Sequence, residues 1–211
     1  MTIEATQIPA KLRGRPRTFD REAALRSALT LFWRVGYEPA TISELCKAMG
    51  INPPSLYAAF GNKAQLFMEA VAYYETTYWD EAWLRLEQAQ DIRQGIVDFF
   101  GDAARILSLP DAPCGCLVTL GATNVSPDSE EVHSALKALR LEGRTAFQAR
   151  LERAVSEGEL PAGMAVGALA MTFNTAIEGM SLQASDGAKQ EDLESIGPLL
   201  VRMLPTAHRE L

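Results

Sequence analysis

The stretch from Thr41 to Lys63, TISELCKAMGINPPSLYAAFGNK, decides the reading of the chain. Thr41 and Glu44 stand in the S/T-x-x-E relation, a capping box that satisfies two orphan backbone donors at a helix start. Ile42, Leu45 and Met49 supply that helix with an apolar side, and Gly50 stops it. A tight turn, Gly50-Ile51-Asn52, leads into Pro53-Pro54-Ser55-Leu56-Tyr57-Ala58-Ala59-Phe60. Proline breaks a helix interior but is tolerated in a first turn, where its missing N–H has no partner in any case. The two prolines therefore open a short helix, which Gly61 ends, and Asn62 caps the next. Helix, glycine turn, short helix is the spacing of a helix-turn-helix. In that motif the second helix offers its N-terminal residues and the positive end of its dipole to a duplex. Ser55 and Tyr57 can hydrogen-bond outward, while Leu56 and Phe60, four apart, turn inward.

Reading outward toward the N-terminus, Ala24, Leu25, Ala28, Leu29 and Phe32 recur at threes and fours. That period predicts an amphipathic helix from about Arg21 to Val35, capped by Asp20 and ended by Gly36. Before it lies Arg13-Gly14-Arg15-Pro16-Arg17, which proline and glycine keep from being helical. Such an arm suits a phosphate backbone or a narrow minor groove, where arginine is favoured. Residues 1–18 are read as this basic arm, 19–64 as the helix-turn-helix unit and 65–211 as a second, larger unit.

Reading outward toward the C-terminus, helical spacing continues and strand alternation is absent, so the fold class is all-α. Helices are predicted over Lys63 to about Glu87, Ile92 to Leu107, about Gly115 to Thr123, Asp128 to Glu157, Pro161 to Ala184 and Gln190 to Met203. The segment Leu109 to Pro113 is a breaker.

Charge divides along the same line. The 211 residues carry a formal charge of −7. Residues 1–63 hold +4 of it and residues 64–211 hold −11. A basic head on an acidic body points to a nucleic-acid contact confined to the head. Three cysteines, an odd number, cannot close a disulfide framework, and the first residues lack the apolar core of a signal peptide. A cytoplasmic protein is expected. The most apolar stretch, Leu160 to Ile177, is interrupted by Pro161 and followed by Glu178, so no membrane contact is expected. No nucleophile elbow, phosphate loop, dinucleotide fingerprint or zinc-protease motif occurs, which leaves an enzyme reading and a cofactor with little to stand on. No metal site is assigned.

The run Phe19-Asp20-Arg21-Glu22-Ala23-Ala24-Leu25, Leu31-Phe32-Trp33, Gly36-Tyr37-Glu38, Thr41, Leu45, Met49-Gly50, Ser55-Leu56-Tyr57, Phe60-Gly61-Asn62-Lys63 and Leu66-Phe67 resembles the N-terminal signature of the TetR family of bacterial transcriptional regulators. The resemblance covers about residues 12–68. It implies an all-helical homodimer with a DNA-reading head and a ligand-sensing, dimerising body, and a repressor released from a pseudo-palindromic operator by a small-molecule effector. It also implies DNA contacts: Thr41, Tyr57 and Lys63 on phosphates, Asn52, Pro53 and Ser55 at base edges, with Arg13, Arg15 and Arg17 from the arm. Pro53-Pro54 departs from the alanine or glycine more usual there, so base-specific hydrogen bonds are expected to be few. Cys114-Gly115-Cys116-Leu117, Val125 to Ser129 and Ile177 to Ser181 are similar to the branch of the family that contains a copper-responsive repressor of an outer-membrane protein.

In the body, Tyr74, Tyr78, Trp83, Phe99, Phe100, Phe147 and Phe173 are the aromatic candidates for an effector pocket. Cys114 and Cys116 join them, because a helix N-terminus lowers a thiol pKa and favours thiol or soft-metal chemistry. Val166, Leu169, Phe173, Ile177 and Met180 lie on a helix too apolar for one exposed face and are the candidates for the twofold interface. Two rival readings stay open: a thiol- or copper-responsive regulator, and a helical ligand-binding protein or enzyme without DNA binding.

Overall fold

The computed structural model describes residues 19–123 and 125–205, and among these every regular element is a helix. The elements are α1 (Arg21–Val35), α2 (Ile42–Met49), α3 (Pro53–Phe60), α4 (Lys63–Tyr74), α5 (Asp80–Gln88), α6 (Ile92–Leu107), α7 (Leu117–Leu120), α8 (Glu130–Ser156), α9 (Val166–Ser185), α10 (Gln190–Glu194) and α11 (Ile196–Val201). A π-turn, Glu75–Trp79, joins α4 to α5, and a 3-10 turn, Pro127–Ser129, precedes α8. The arm residues Arg13, Arg15 and Arg17 lie outside the described residues.

The head assembles from its caps. Asp20 accepts from the backbone N–H of Ala23 at 3.0 Å and starts α1. Thr41 and Glu44 form the reciprocal capping box of α2. Asn52 accepts from Ser55 N at 2.9 Å and starts α3, with the prolines in its first turn. Each cap satisfies a donor that the helix itself leaves open. Leu56 is fully buried and Phe60 nearly so, against α1 and α4. Phe32 meets Phe67 edge-on at 5.0 Å, which locks α1 to α4. Burial of a leucine of this kind is worth about 1.5–3 kcal/mol.

The body is built on α6, whose buried face carries Ile92, Ile96, Phe99, Phe100, Ala103 and Leu107. Phe99, Phe100, Phe147 and Phe173 form one aromatic cluster, with Phe147 5.1 Å from Phe99 and 5.7 Å from Phe173. α8 and α9 pack along each other, and α10 and α11 cover the far side of α6.

Two expected helices are interrupted, each for a physical reason. The helix expected from Lys63 to Glu87 contains the π-turn. Buried positions run Leu66, Phe67, Ala70, Val71, Tyr74 and then skip five to Trp79 before resuming at Ala82 and Leu86. A five-residue interval is what one wide turn provides; an unbroken α-helix would have buried Tyr78 instead. The helix expected from Gln190 to Met203 divides at Ser195, because Pro198 has no N–H for the carbonyl four residues back and its ring collides there. The start of α9 also moves, from the expected Pro161 to Val166, after a turn through Gly163 at φ +81°.

Candidate nucleic-acid interface and buried cavity

One edge of the head is open and polar. Thr41 is exposed at the start of α2, Asn52 and Pro53 at the start of α3, and Tyr57 one turn along α3 is 50% exposed. Ser55 is half-buried beside them. Asn52 spends its side-chain oxygen on the α3 cap, which leaves its NH₂ group outward, and Thr41 gives its hydroxyl to Glu44 Oε2 at 2.7 Å. Lys63 is held rather than free. Its Nζ donates to the Glu38 carbonyl at 3.1 Å and sits 4.3 Å from the centre of the Tyr37 ring. Burial lowers its pKa, and Glu38 opposes that shift. Two of the three ammonium donors stay available. Lys47, exposed near the end of α2, is a further cation of the head that the motif-based reading did not single out.

The body holds a cavity of about 330 Å³ walled by the π-turn, α5, the segment from Cys116 to Thr119, α8 and α9. Trp79 and Trp83 supply aromatic wall, with Val118, Leu139 and Ile177 as apolar wall. Glu75, Asp80, Glu142 and Glu178 bring four carboxylates to its lining. Arg140 is the one guanidinium there, and its Nη1 donates to the Val118 carbonyl at 2.8 Å. Asn174 donates to Glu178 Oε1 at 2.9 Å. The pKa of Glu75 is pushed up to about 7, by burial first and then by Asp80 and Glu142.

Of the expected effector residues, Trp83 and Cys116 line this cavity. The others lie elsewhere. Tyr74 is fully buried behind it, and burial, with Cys116 next to it, holds the phenol well above its usual range. Tyr78 packs 5.2 Å from Trp33. Phe99, Phe100, Phe147 and Phe173 are core, because aromatic residues at helical spacing satisfy one another before they face a ligand. Cys114 is exposed and lies on a different pocket, with Pro113 and Leu120. The expected lowering of the Cys116 pKa is overturned: burial raises it, and a four-residue α7 has little dipole to offset that cost. Among the described residues no group of three or more His, Cys, Asp or Glu side chains converges as a metal site.

The expected twofold residues also divide. Phe173 and Met180 are buried within the chain itself, 0% and 1% exposed, so they cannot meet a second copy. Val166, Leu169 and Ile177 are half-buried. The outer face of α9 instead presents Met171 and Leu182, 53% and 51% exposed, and the C-terminal segment leaves Leu199 and Met203 exposed as well.

Besides α4, a short segment joins head and cavity. Trp33 donates its indole N–H to the Gly115 carbonyl at 2.8 Å, and Tyr37 N donates to the Gly121 carbonyl at 2.7 Å. Cys116 N donates to the buried Ser181 hydroxyl of α9 at 2.8 Å. Gly115, at φ +86°, has no room for a Cβ, which would lie 2.9 Å from the Ser181 carbonyl oxygen. Residues 115–121 therefore touch α1 on one side while Cys116, Val118 and Thr119 form cavity wall on the other.

The head and body each match a family model. Residues 24–70 match the model of bacterial regulatory proteins of the tetR family, and residues 94–192 match a tetracyclin repressor-like C-terminal domain. The chain is 35% identical over 207 residues to the HTH-type transcriptional repressor ComR of Escherichia coli, covering 97% of this chain and 98% of that protein. The chain belongs to the TetR family. A second relative, the HTH-type transcriptional repressor BdcR of Escherichia coli, is 33% identical over 127 residues, 60% of this chain and 64% of its own. A cysteine variant of the TetR-family regulator CifR, solved in complex with 26-base-pair double-strand operator DNA, superposes with a TM-score of 0.87 at 38% identity. That match covers 91% of this chain and all of the CifR chain.

Proposed function

We propose that this TetR-family protein is a transcriptional repressor that binds a pseudo-palindromic operator as a homodimer and lets go when a small molecule fills the body cavity. The observation that carries the reading is the open edge of the head, where exposed Thr41, Asn52, Pro53 and Tyr57 lie on consecutive capped elements beside a pinned Lys63. It is supported by the likeness to a CifR chain solved on operator DNA. Thr41, Tyr57 and Lys63 take phosphates, and Asn52, Pro53 and Ser55 face base edges, with the arm of Arg13, Arg15 and Arg17 reaching along the groove. The head spans residues 19–64 and the effector and dimer unit residues 65–211. The outward face of α9, with Met171 and Leu182, is the twofold surface. The reading places the protein in the cytoplasm; among the described residues no helix is long and apolar enough to cross a membrane.

An effector shifts DNA affinity only by its differential affinity for two arrangements of the heads. Two elements couple cavity to head: α4, which runs from the α3 junction into the π-turn, and residues 115–121, which lean on Trp33 and Tyr37. The test is binding of the dimer to a duplex carrying its own promoter across a salt series. Affinity falls steeply with salt, and Lys63→Ala weakens binding to every sequence while flattening the log–log slope by about 0.9 per lost phosphate contact and per head. A protein that ignores its promoter at low salt refutes the reading.

A further inference from the structure

We propose that the cavity takes an organic ammonium ion, its apolar body against Trp83 and Trp79 and its charge toward Glu75. This rests on reading the cavity as the effector site and adds the chemical class of the occupant.

The charge balance of the wall comes first. Four carboxylates line the cavity against a single guanidinium, and Arg140 has already given Nη1 to a backbone carbonyl. The carboxylates are not equivalent. Glu178 receives a hydrogen bond from Asn174, and Asp80 is exposed to solvent. Glu75 is half-buried, and burial, Asp80 and Glu142 all oppose its charge, while Arg140 is turned to the Val118 carbonyl. A partly buried carboxylate with nothing opposite is costly, and a bound cation removes that cost.

The shape of the wall then selects among cations. A bare metal ion needs several ligands converging at one point, and among the described residues no such group exists. The carboxylates are instead distributed over the π-turn, α5, α8 and α9, among two indole rings and aliphatic side chains. Aromatic walls attract a cation whose charge is spread over a large, weakly hydrated group, and the best ring for this is tryptophan. An anion would meet three uncompensated negative charges. A neutral apolar molecule would desolvate Glu75 further and return nothing. A volume of about 330 Å³ suits one ring with an alkylammonium group rather than a larger polycycle.

Proton linkage follows. The other charged, titratable and amide groups of the cavity lining are Asp80 of α5, Arg140 and Glu142 of α8, Glu178 and Asn174 of α9, and the Cys116 thiol, of which Asp80 and Glu142 act on Glu75. With its pKa near 7, Glu75 is partly protonated at neutral pH, so a cation binds more tightly as pH rises through that value and releases a proton as it binds.

The experiment is isothermal titration of the full-length dimer with benzyltrimethylammonium, with its carbon isostere neopentylbenzene and with benzoate. The cation is expected to bind about tenfold or more tightly than the isostere, and benzoate not to bind. Glu75→Gln is expected to weaken the cation about tenfold, to leave neopentylbenzene unchanged and to abolish the pH dependence between about 6 and 8. Asp80→Asn, at an exposed position that tolerates substitution, gives a smaller loss for the cation alone and keeps the test available if the Glu75 variant does not fold. Equal affinity for cation and isostere, preference for benzoate, no binding of any probe, or cation affinity indifferent to both substitutions each overturn the proposal. Operator release is measured separately on the same dimer. A cation that binds as described but leaves DNA affinity unchanged supports the ligand class and refutes the effector role; loss of the operator complex in the absence of ligand bears only on the head.

Discussion

The head and the cavity solve recognition in opposite ways. The head turns its polar groups outward from three short helices, each fixed by a side-chain cap within three residues of the group it positions. The cavity brings together carboxylates from the π-turn and α5 and, far along the chain, from α8 and α9. The head's groups are accordingly satisfied before any partner arrives: Thr41 by Glu44, Asn52 by Ser55, Lys63 by Glu38 and Tyr37. In the cavity, the half-buried Glu75 meets burial and the like charges of Asp80 and Glu142. A preformed outer surface suits a constant partner such as a phosphate backbone. An inner wall with a carboxylate disfavoured by its surroundings suits a switch, because an occupant that relieves it favours one arrangement of the packing.

Substitutions sharpen this contrast. The largest effect is expected in the body's own scaffold. Glu159 pairs with the buried Arg150 at 2.8 Å and accepts from Ile92 N at the start of α6, so Glu159→Ala leaves a buried guanidinium alone. It should cost about 3–5 kcal/mol in denaturant unfolding. Next comes Leu56→Ala, which opens a cavity under α3 and should cost about 2–5 kcal/mol, with operator binding lost while the body still binds its ligand. If that variant lost ligand binding in step with DNA binding, the two regions would not be separable. Tyr57→Ala removes an exposed ring and should leave the unfolding midpoint nearly unmoved while weakening operator binding by about 1–3 kcal/mol, measured by fluorescence anisotropy. The smallest effect is a slope. Glu75 holds its proton more tightly folded than unfolded, so its contribution to stability is complete at low pH and is lost as pH rises from the ordinary carboxylate range through about 7. Glu75→Gln should remove that decline, seen as a flatter melting temperature between about pH 5 and about pH 8. A slope unchanged by the substitution would assign the titration to another group.

The contrast also explains what was legible in the chain. Asp20, the Thr41–Glu44 box, Asn52 and Asn62 each bond to a backbone group three residues on, and a pattern of that length can be read directly from neighbours in sequence. The candidate effector aromatics were not legible in the same way. Phe99, Phe100, Phe147 and Phe173 have the spacing of a pocket and the spacing of a core, and only packing chose the core. Trp79 was hidden by the assumption of an unbroken helix, and the five-residue step from Tyr74 was its one signal. Glu142, Asn174 and Glu178 carry no motif at all. On α9, apolar residues all round implied two buried faces, but which face is the chain's own, that of Phe173 and Met180, and which is left for a second copy, that of Met171 and Leu182, depends on where α8 lies.

By itself, then, the sequence determined the helical class, the three-helix head and the residues on its open edge, since hydrogen-bond caps, proline geometry and a three-to-four residue apolar period all act within a turn or two of chain. The tertiary structure decided the register change at the π-turn, the burial that raises Cys116 and Glu75, and the assembly of an acidic, indole-walled cavity from five separate segments. Those depend on the dielectric surroundings and on the company of side chains distant in sequence, which exist only once the helices have packed.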